Sequence, residues 1–218
     1  MAEVKEYTIT GSGFSQEDLQ GVVRVHRAEL SEGFLSSLGD GALGILFDHA
    51  ATSRFAVLLV AKKRDSGEVI GFLLGTTNTS RFYEDFLKRY SLKALLIVGP
   101  KLFSLKRLYK VAETLLYPSR DAVKDLPPAE LLDIAVGKSS QGLGIGQELF
   151  HAFCDRLRKQ QIGEFRITTG ESLAQAHRFY ERLGATRASN IEVHKGQKTF
   201  VYLYSLGRAP GDNQPTLN

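Results

Sequence analysis

One stretch constrains this chain more than any other. A short apolar run, "LLDIAV" (131–136), stands just before "QGLGIGQELF" (141–150). Gly142, Gly144 and Gly146 fall at every second position, and a helical pattern of apolar residues begins at once. Strand, glycine loop, helix is how a chain presents backbone N–H groups to a phosphate. Two familiar phosphate loops fail on spacing. A dinucleotide fingerprint, G-x-G-x-x-G, would put its third glycine at Gln147. A nucleotide-triphosphate loop ending at Gly137-Lys138-Ser139 would need its first glycine where Leu132 stands.

The surrounding pattern predicts a mixed sheet. Residues 5–10 alternate like a strand, and Ser15 is placed to cap a helix running to about Leu30 with Leu19, Val22, Val23 and Val25 on its apolar side. A second helical stretch, Gly33 to Ala51, is interrupted by glycines. Residues 54–63 and 68–77 read as strands joined by the turn "RDSG", a hairpin. Residues 79–126 form a helical block broken by Gly99-Pro100 and Pro118 and ended by Pro127-Pro128. After strand 131–136 and the glycine loop come a helix over about 145–161, a strand at 164–169 and a helix from about Ser172 to Leu183. Two last strands, near 186–194 and 198–206, flank a Lys195-Gly196 turn. A hairpin, then alternation, then a hairpin is an α/β or α+β plan with a mixed, mostly antiparallel sheet. The expected organisation is one domain over 1–206, a helical insertion at 79–126 between the third and fourth strands, and a disordered tail at 207–218.

Composition narrows the class. The chain has 218 residues, 43% hydrophobic and 24% charged, enough for one buried core. The single cysteine, Cys154, excludes an internal disulfide framework and agrees with a reducing, cytoplasmic compartment. The first residues lack a signal-peptide layout, and no apolar run reaches the length of a membrane span. Net charge is +4 and unevenly placed: Arg81 to Lys124 holds ten Lys or Arg against four Asp or Glu, so that segment carries +6 and the rest about −2. Local basicity points to one anionic contact, not to nucleic acid, and the aromatic signatures of RNA binding are absent. A plain basic cover, a lid meeting a phosphate on a substrate through residues such as Arg107, and contact with an anionic membrane surface all remain open for this block. The membrane reading is the least favoured of them. The His, Asp and Glu residues show no metal-ligand spacing.

Gln141-Gly142-Leu143-Gly144-Ile145-Gly146 does satisfy a third pattern: Gln or Arg, two spacers, Gly, one spacer, then Gly or Ala. It resembles the acetyl-CoA pyrophosphate loop of the GNAT N-acetyltransferases. "IAV" (134–136) stands at that family's usual distance before Gln141, and "AHRFYERLGA" (176–185) resembles its tyrosine-bearing helix end, with Tyr180 at the tyrosine. There are departures. Leu173 stands where the family often has asparagine, Gly137-Lys138 replaces the common x-Pro, and Ala185 replaces the usual phenylalanine. Thr168 stands where ribosomal-protein acetyltransferases often carry a glutamate.

The resemblance implies an enzyme that moves an acetyl group from acetyl-CoA, its co-substrate, directly to a primary amine. Ile134, Ala135 and Val136 would pair with the pantetheine arm, and Gln141 through Gly146 would hold the pyrophosphate. Tyr180 would protonate the departing thiolate. Asp133, the one charge in its strand, is the candidate base, against a plain solvent-facing role. His26 and Glu29, near the end of the first helix, are candidates for the acceptor side, against a surface role. Cys154 shares an apolar stripe with Phe150 and Leu157 and reads as a buried thiol. The expected acceptor is a small molecule: an amino sugar, also as its nucleotide conjugate, an amino acid or a polyamine. A protein amine, or a GNAT-like module that holds acyl-CoA without turnover, are the alternatives.

Overall fold

The structure is a computed structural model and describes residues 5–30, 39–98, 126–194 and 197–207. Strand β1 is Tyr7–Thr10, helix α1 Gln16–Glu29, α2 Asp40–Thr52, β2 Ala56–Lys63, β3 Val69–Thr76 and α3 Thr79–Val98. Strand β4 is Glu130–Val136, followed by a short 3-10 turn at Lys138–Ser140 and by α4, Ile145–Lys159. Then come β5 (Glu164–Gly170), α5 (Ala174–Arg182), β6 (Thr186–His194) and β7 (Gln197–Ser205).

Local signals set the element ends. Ser15 and Asp18 form a reciprocal capping box: the Ser15 side chain accepts from Asp18 N–H at 3.1 Å, and Asp18 accepts from Ser15 N–H at 3.0 Å. Leu19, Val22, Val23 and Val25 of the helix it starts are buried. The β2–β3 turn closes through Gly67, whose φ of 70° a residue with a side chain adopts poorly. Strand β3 is buried along its whole length, which explains its unbroken apolar run.

The described strands form one seven-stranded sheet in the order β1-β2-β3-β4-β5-β7-β6. Every neighbouring pair is antiparallel except β4 and β5. Two apolar clusters cover its two faces. One gathers α4 and α5 around Leu149, Phe150, Phe153, Phe165 and Tyr180; the other gathers α1, α2 and the start of α3 around Val22, Phe47, Phe72 and Phe82.

Strand β4 carries two irregularities. Register with β3 passes from Leu74↔Asp133 to Gly75↔Leu131, so Leu132 is an extra, bulged residue. A bulge re-aims side chains, and here Leu132 and Asp133, though consecutive, both face the α1 side: Leu132 packs on that cluster and Asp133 meets His26. The second irregularity is that β4 and β5 pair only at Glu130↔Arg166 and Leu131↔Ile167. Beyond those pairs the two strands part.

A buried polar cluster fixes the point of parting. Arg166 Nη2 donates to Glu130 Oε2 at 2.8 Å, both side chains under 5% exposed. Thr79 and Thr168 hydroxyls donate to the same carboxylate at 3.1 and 2.8 Å. Arg166 Nη1 donates to Pro127 O, and Thr79 N–H donates to Pro128 O at 2.9 Å. Both roots of the insertion are therefore tied to the place where β4 and β5 separate.

The element pattern read from sequence stands, with shifts. Of the second helical stretch, the described part begins at Asp40. Helix α5 begins at Ala174, so Leu173 lies ahead of the helix and is 45% exposed. Its N–H bonds Gly170 O at 3.1 Å, which closes a turn before the helix can start. The insertion beyond Val98, with Arg107, the Lys195-Gly196 turn and the tail after Gly207 lie outside the described residues. No helix among the described residues is long and apolar enough to cross a membrane.

Breaking a buried ion pair by removing one partner leaves an uncompensated charge, at a cost of about 3–5 kcal/mol. Arg166→Met should lower unfolding free energy by about that amount in chemical denaturation. A loss under about 1 kcal/mol would mean that the pair does not hold the strands together.

Candidate active site

Where β4 leaves β5, its backbone loses a partner. Gly137 N–H donates to Ile70 O at 2.9 Å. Antiparallel pairing alternates, so Ala135 and Asp133 also turn their N–H and C=O toward β3. Ile134 and Val136 turn theirs toward the gap, where no β5 residue pairs with them. Open strand edges of this kind are met by another strand-like group or by water.

At the top of the gap sits the glycine loop. Gly142 and Gly144 have φ of 82° and 77°, a left-handed conformation that only glycine adopts without strain. A Cβ added at either would meet nothing within 4 Å, so the space above them is open. A Cβ at Gly146 would lie in ordinary contact with the Phe179 ring at 3.6 Å. The first intrahelical bond of α4 runs from Glu148 N–H to Gly144 O at 3.0 Å. The N–H groups of Gly142 through Gln147 donate to no protein acceptor among the described residues. Free donors at the positive end of a 15-residue helix make an anion site.

Gln141 and Glu29 brace this loop. Gln141 Nε2 donates to Val136 O at 2.9 Å and to Glu29 Oε2 at 3.3 Å. Glu29 Oε1 accepts from Lys138 N–H at 3.1 Å. Glu29 thus reaches across from α1 to the loop, a place that the sequence pattern does not reveal. Leu143 projects from the loop, 62% exposed, and Ile145 is buried in the core.

Three functional groups are coupled around β4. Asp133 comes from the bulge of β4, His26 from α1 and Tyr180 from α5. His26 Nε2 lies 3.9 Å from Asp133 Oδ2, and the side chains are 2% and 18% exposed. His26 is therefore an interior residue, not a surface one. Oδ2 of Asp133 is buried and has no hydrogen-bond partner among the described residues. Burial drives the Asp133 carboxyl above the ordinary carboxylate range; His26 opposes that, and Glu130 adds to it. Burial pushes His26 the other way, below the ordinary imidazole range, with Asp133 opposing. Tyr180 is buried, and burial followed by the Asp133 charge raises its phenol well above normal. The charge of Asp133 thus reaches Tyr180.

Other candidates lie apart. Cys154 is buried on α4, and its thiol is pushed up to about 12, which makes it unreactive. His177 faces the Tyr202 hydroxyl at 2.9 Å and Gly170 O at 3.0 Å, tying α5 to β5 and β7. Thr168 holds Glu130, so the position presents a hydroxyl already in use. Among the described residues, no group of three or more His, Cys, Asp or Glu is placed to hold a metal.

Known proteins share this fold. The acetyltransferase (GNAT) family model matches residues 27–185. The chain belongs to the GNAT acetyltransferase family. It is an acetyl-CoA-dependent N-acetyltransferase, with acetyl-CoA as co-substrate. Solved structures share the fold at low identity. SsHAT aligns at 19% identity over 94% of this chain and 100% of its own, with a TM-score of 0.65. The ribosomal-protein-S18-alanine N-acetyltransferase from Escherichia coli aligns at 15% over 96% and 99%, with a TM-score of 0.56. Ard1 from Thermoplasma volcanium aligns at 18% over 92% and 98%, with a TM-score of 0.54. No curated protein matches by sequence.

The loop yields a direct test. A β-branched side chain at Gly144 would strain a left-handed residue by roughly 1–2 kcal/mol and project into the open space over the helix end. Gly144→Val should weaken CoA binding at least tenfold by calorimetry while circular dichroism stays native. Unchanged affinity in the folded variant would remove the loop from the cofactor site.

Proposed function

We propose that this acetyltransferase acts on the primary amine of a small molecule, with Asp133 as base and Tyr180 as acid. The observation that carries the reading is the burial of Asp133. One carboxylate oxygen is buried without a partner, and the side chain is only 18% exposed. An acceptor that can enter bodily reaches such a group; an amine held on a broad protein surface reaches it less well. Amino sugars, amino acids and polyamines fit that description. The Escherichia coli relative named for a ribosomal protein keeps a protein amine as the second reading. Thr168, engaged with Glu130, favours the first.

Acetyl-CoA supplies the thioester. On this reading the N–H groups at the start of α4 hold its pyrophosphate, and the backbone of Ile134 and Val136 aligns its arm along β4. Asp133 takes a proton from the acceptor amine, so that nitrogen can bond the acyl carbon. As the carbon–sulfur bond breaks, the Tyr180 hydroxyl gives its proton to the thiolate. Burial keeps the Tyr180 phenol protonated, so a hydroxyl is present to donate as the sulfur departs.

Three outcomes check the proposal. Tyr180→Phe keeps the ring and its packing, so kcat should fall about tenfold or more with CoA affinity near wild type. Equal kcat would return Tyr180 to the core. For Asp133 the raised carboxyl fixes the sign: it holds its proton at low pH and becomes a base only as pH climbs past that raised value. The acid limb of kcat/KM should therefore lie above the ordinary carboxylate pKa of about 4. Asp133→Asn should remove that limb and lower kcat/KM most above it, where the wild-type carboxylate is ionised and the acceptor is still largely ammonium, with the two enzymes converging below it. A uniform loss at every pH would assign Asp133 a positioning role. In an acceptor screen, amino sugars, amino acids or polyamines should exceed peptides in kcat/KM; the reverse order would favour the protein amine.

A further inference from the structure

His26 is not needed for the reading above, yet its place is unusual. It projects from α1 into the interior and lies with its ring stacked on Phe72 of β3 at 6.0 Å and edge-on to Phe47 of α2 at 5.9 Å. Two aromatic walls from two elements fix the plane of the imidazole. The atom it turns to β4 is Nε2, 3.9 Å from Asp133 Oδ2, the oxygen that has no hydrogen-bond partner. That separation is about 1 Å beyond a hydrogen bond.

We propose that His26 and Asp133 work as one proton-accepting pair, in which His26 acts through Asp133 as its positioning residue and holds the proton that Asp133 passes on. This rests on Asp133 being the base. Among the described residues, the titratable groups coupled to the pair are Glu130 on the same strand, engaged with Arg166 of β5, and Tyr180 from α5. Neither supplies Asp133 with a proton acceptor: Glu130 is occupied by Arg166, Thr79 and Thr168, and Tyr180 is the acid. His26 is the neighbour with the chemistry for it.

The step balances. The amine nitrogen bonds the acyl carbon and gives its proton to the Asp133 carboxylate, which passes it on to His26 Nε2. The carbon–sulfur bond breaks, and the thiolate takes the Tyr180 proton. The imidazolium then returns a proton through water to the Tyr180 oxygen, which leaves amide and thiol as products. Burial favours such a pair. It resists the charged form of each partner, raising the carboxyl and lowering the imidazole, which brings their proton affinities toward one another.

The experiment is a set of pH profiles of kcat/KM for wild type, His26→Gln and Asp133→Asn, with one acceptor. Without His26, Asp133 must ionise alone in its buried place. The acid limb of His26→Gln should move to higher pH by about one unit or more, with rates converging on wild type above it. A wild-type limb in His26→Gln, with a uniform loss or none, makes His26 a packing residue and overturns the pair while leaving Asp133 as base. A wild-type limb in Asp133→Asn removes the base itself, and the pair with it. Because His26 is buried, nitrogen NMR of the native imidazole gives a second readout that leaves its packing intact. The His26 titration should move to lower pH in Asp133→Asn, since the carboxylate charge that favoured the imidazolium is gone. An unmoved titration overturns the coupling.

Discussion

The parting of β4 from β5 is the constraint on which the rest of the site depends. A parallel pair that stops after two residue pairs leaves one strand edge open inside the sheet. Such an edge is unstable unless something fixes where it begins. Here the fixing group is a buried carboxylate, Glu130, bonded by Arg166, Thr79 and Thr168. Arg166 and Glu130 are themselves a register pair, so one of the two paired positions of the ladder is also its electrostatic clasp. The desolvation of both charges is offset only because nearly every lone pair is met.

From that point two devices divide the work. The glycine loop supplies backbone donors, left free by the geometry of the α4 N-terminus and by the left-handed turns at Gly142 and Gly144. The bulge at Leu132 supplies direction: it turns Asp133 away from the α4 face and toward His26. A regular strand at this position would have sent Asp133 to the opposite face, among Phe150 and Phe165. Tyr180 comes from the far wall of the gap, on a short helix held to β5 and β7 through His177. The interaction between Asp133 and Tyr180 is electrostatic, and burial magnifies it.

Much of this is legible in the chain because it rests on local chemistry. Ser15 with Asp18 announces α1, the glycine spacing announces the loop, and "LLDIAV" announces the strand before it. The fold class and the family follow from the order of those pieces. What the residues cannot announce depends on contacts far apart in sequence. Nothing near Leu132 marks a bulge, since the two-versus-one count is set by β3. Nothing near His26 marks it as interior, since Phe47 and Phe72 come from other elements. Glu29, by its place near the end of the first helix an acceptor-side candidate, braces the loop through Lys138 and Gln141, over a hundred positions away. Glu130 and Arg166 carry no local signal of their role, because a charge at a strand end is ordinarily a solvated one.

The central claim is that the open edge of β4 receives the arm of acetyl-CoA. Amide hydrogen exchange reads that edge residue by residue. With saturating CoA, exchange at the Ile134 and Val136 N–H groups should slow by about tenfold or more, while Ala135, already bonded to β3, changes little. Unchanged exchange at Ile134 and Val136 in the CoA complex would contradict the account.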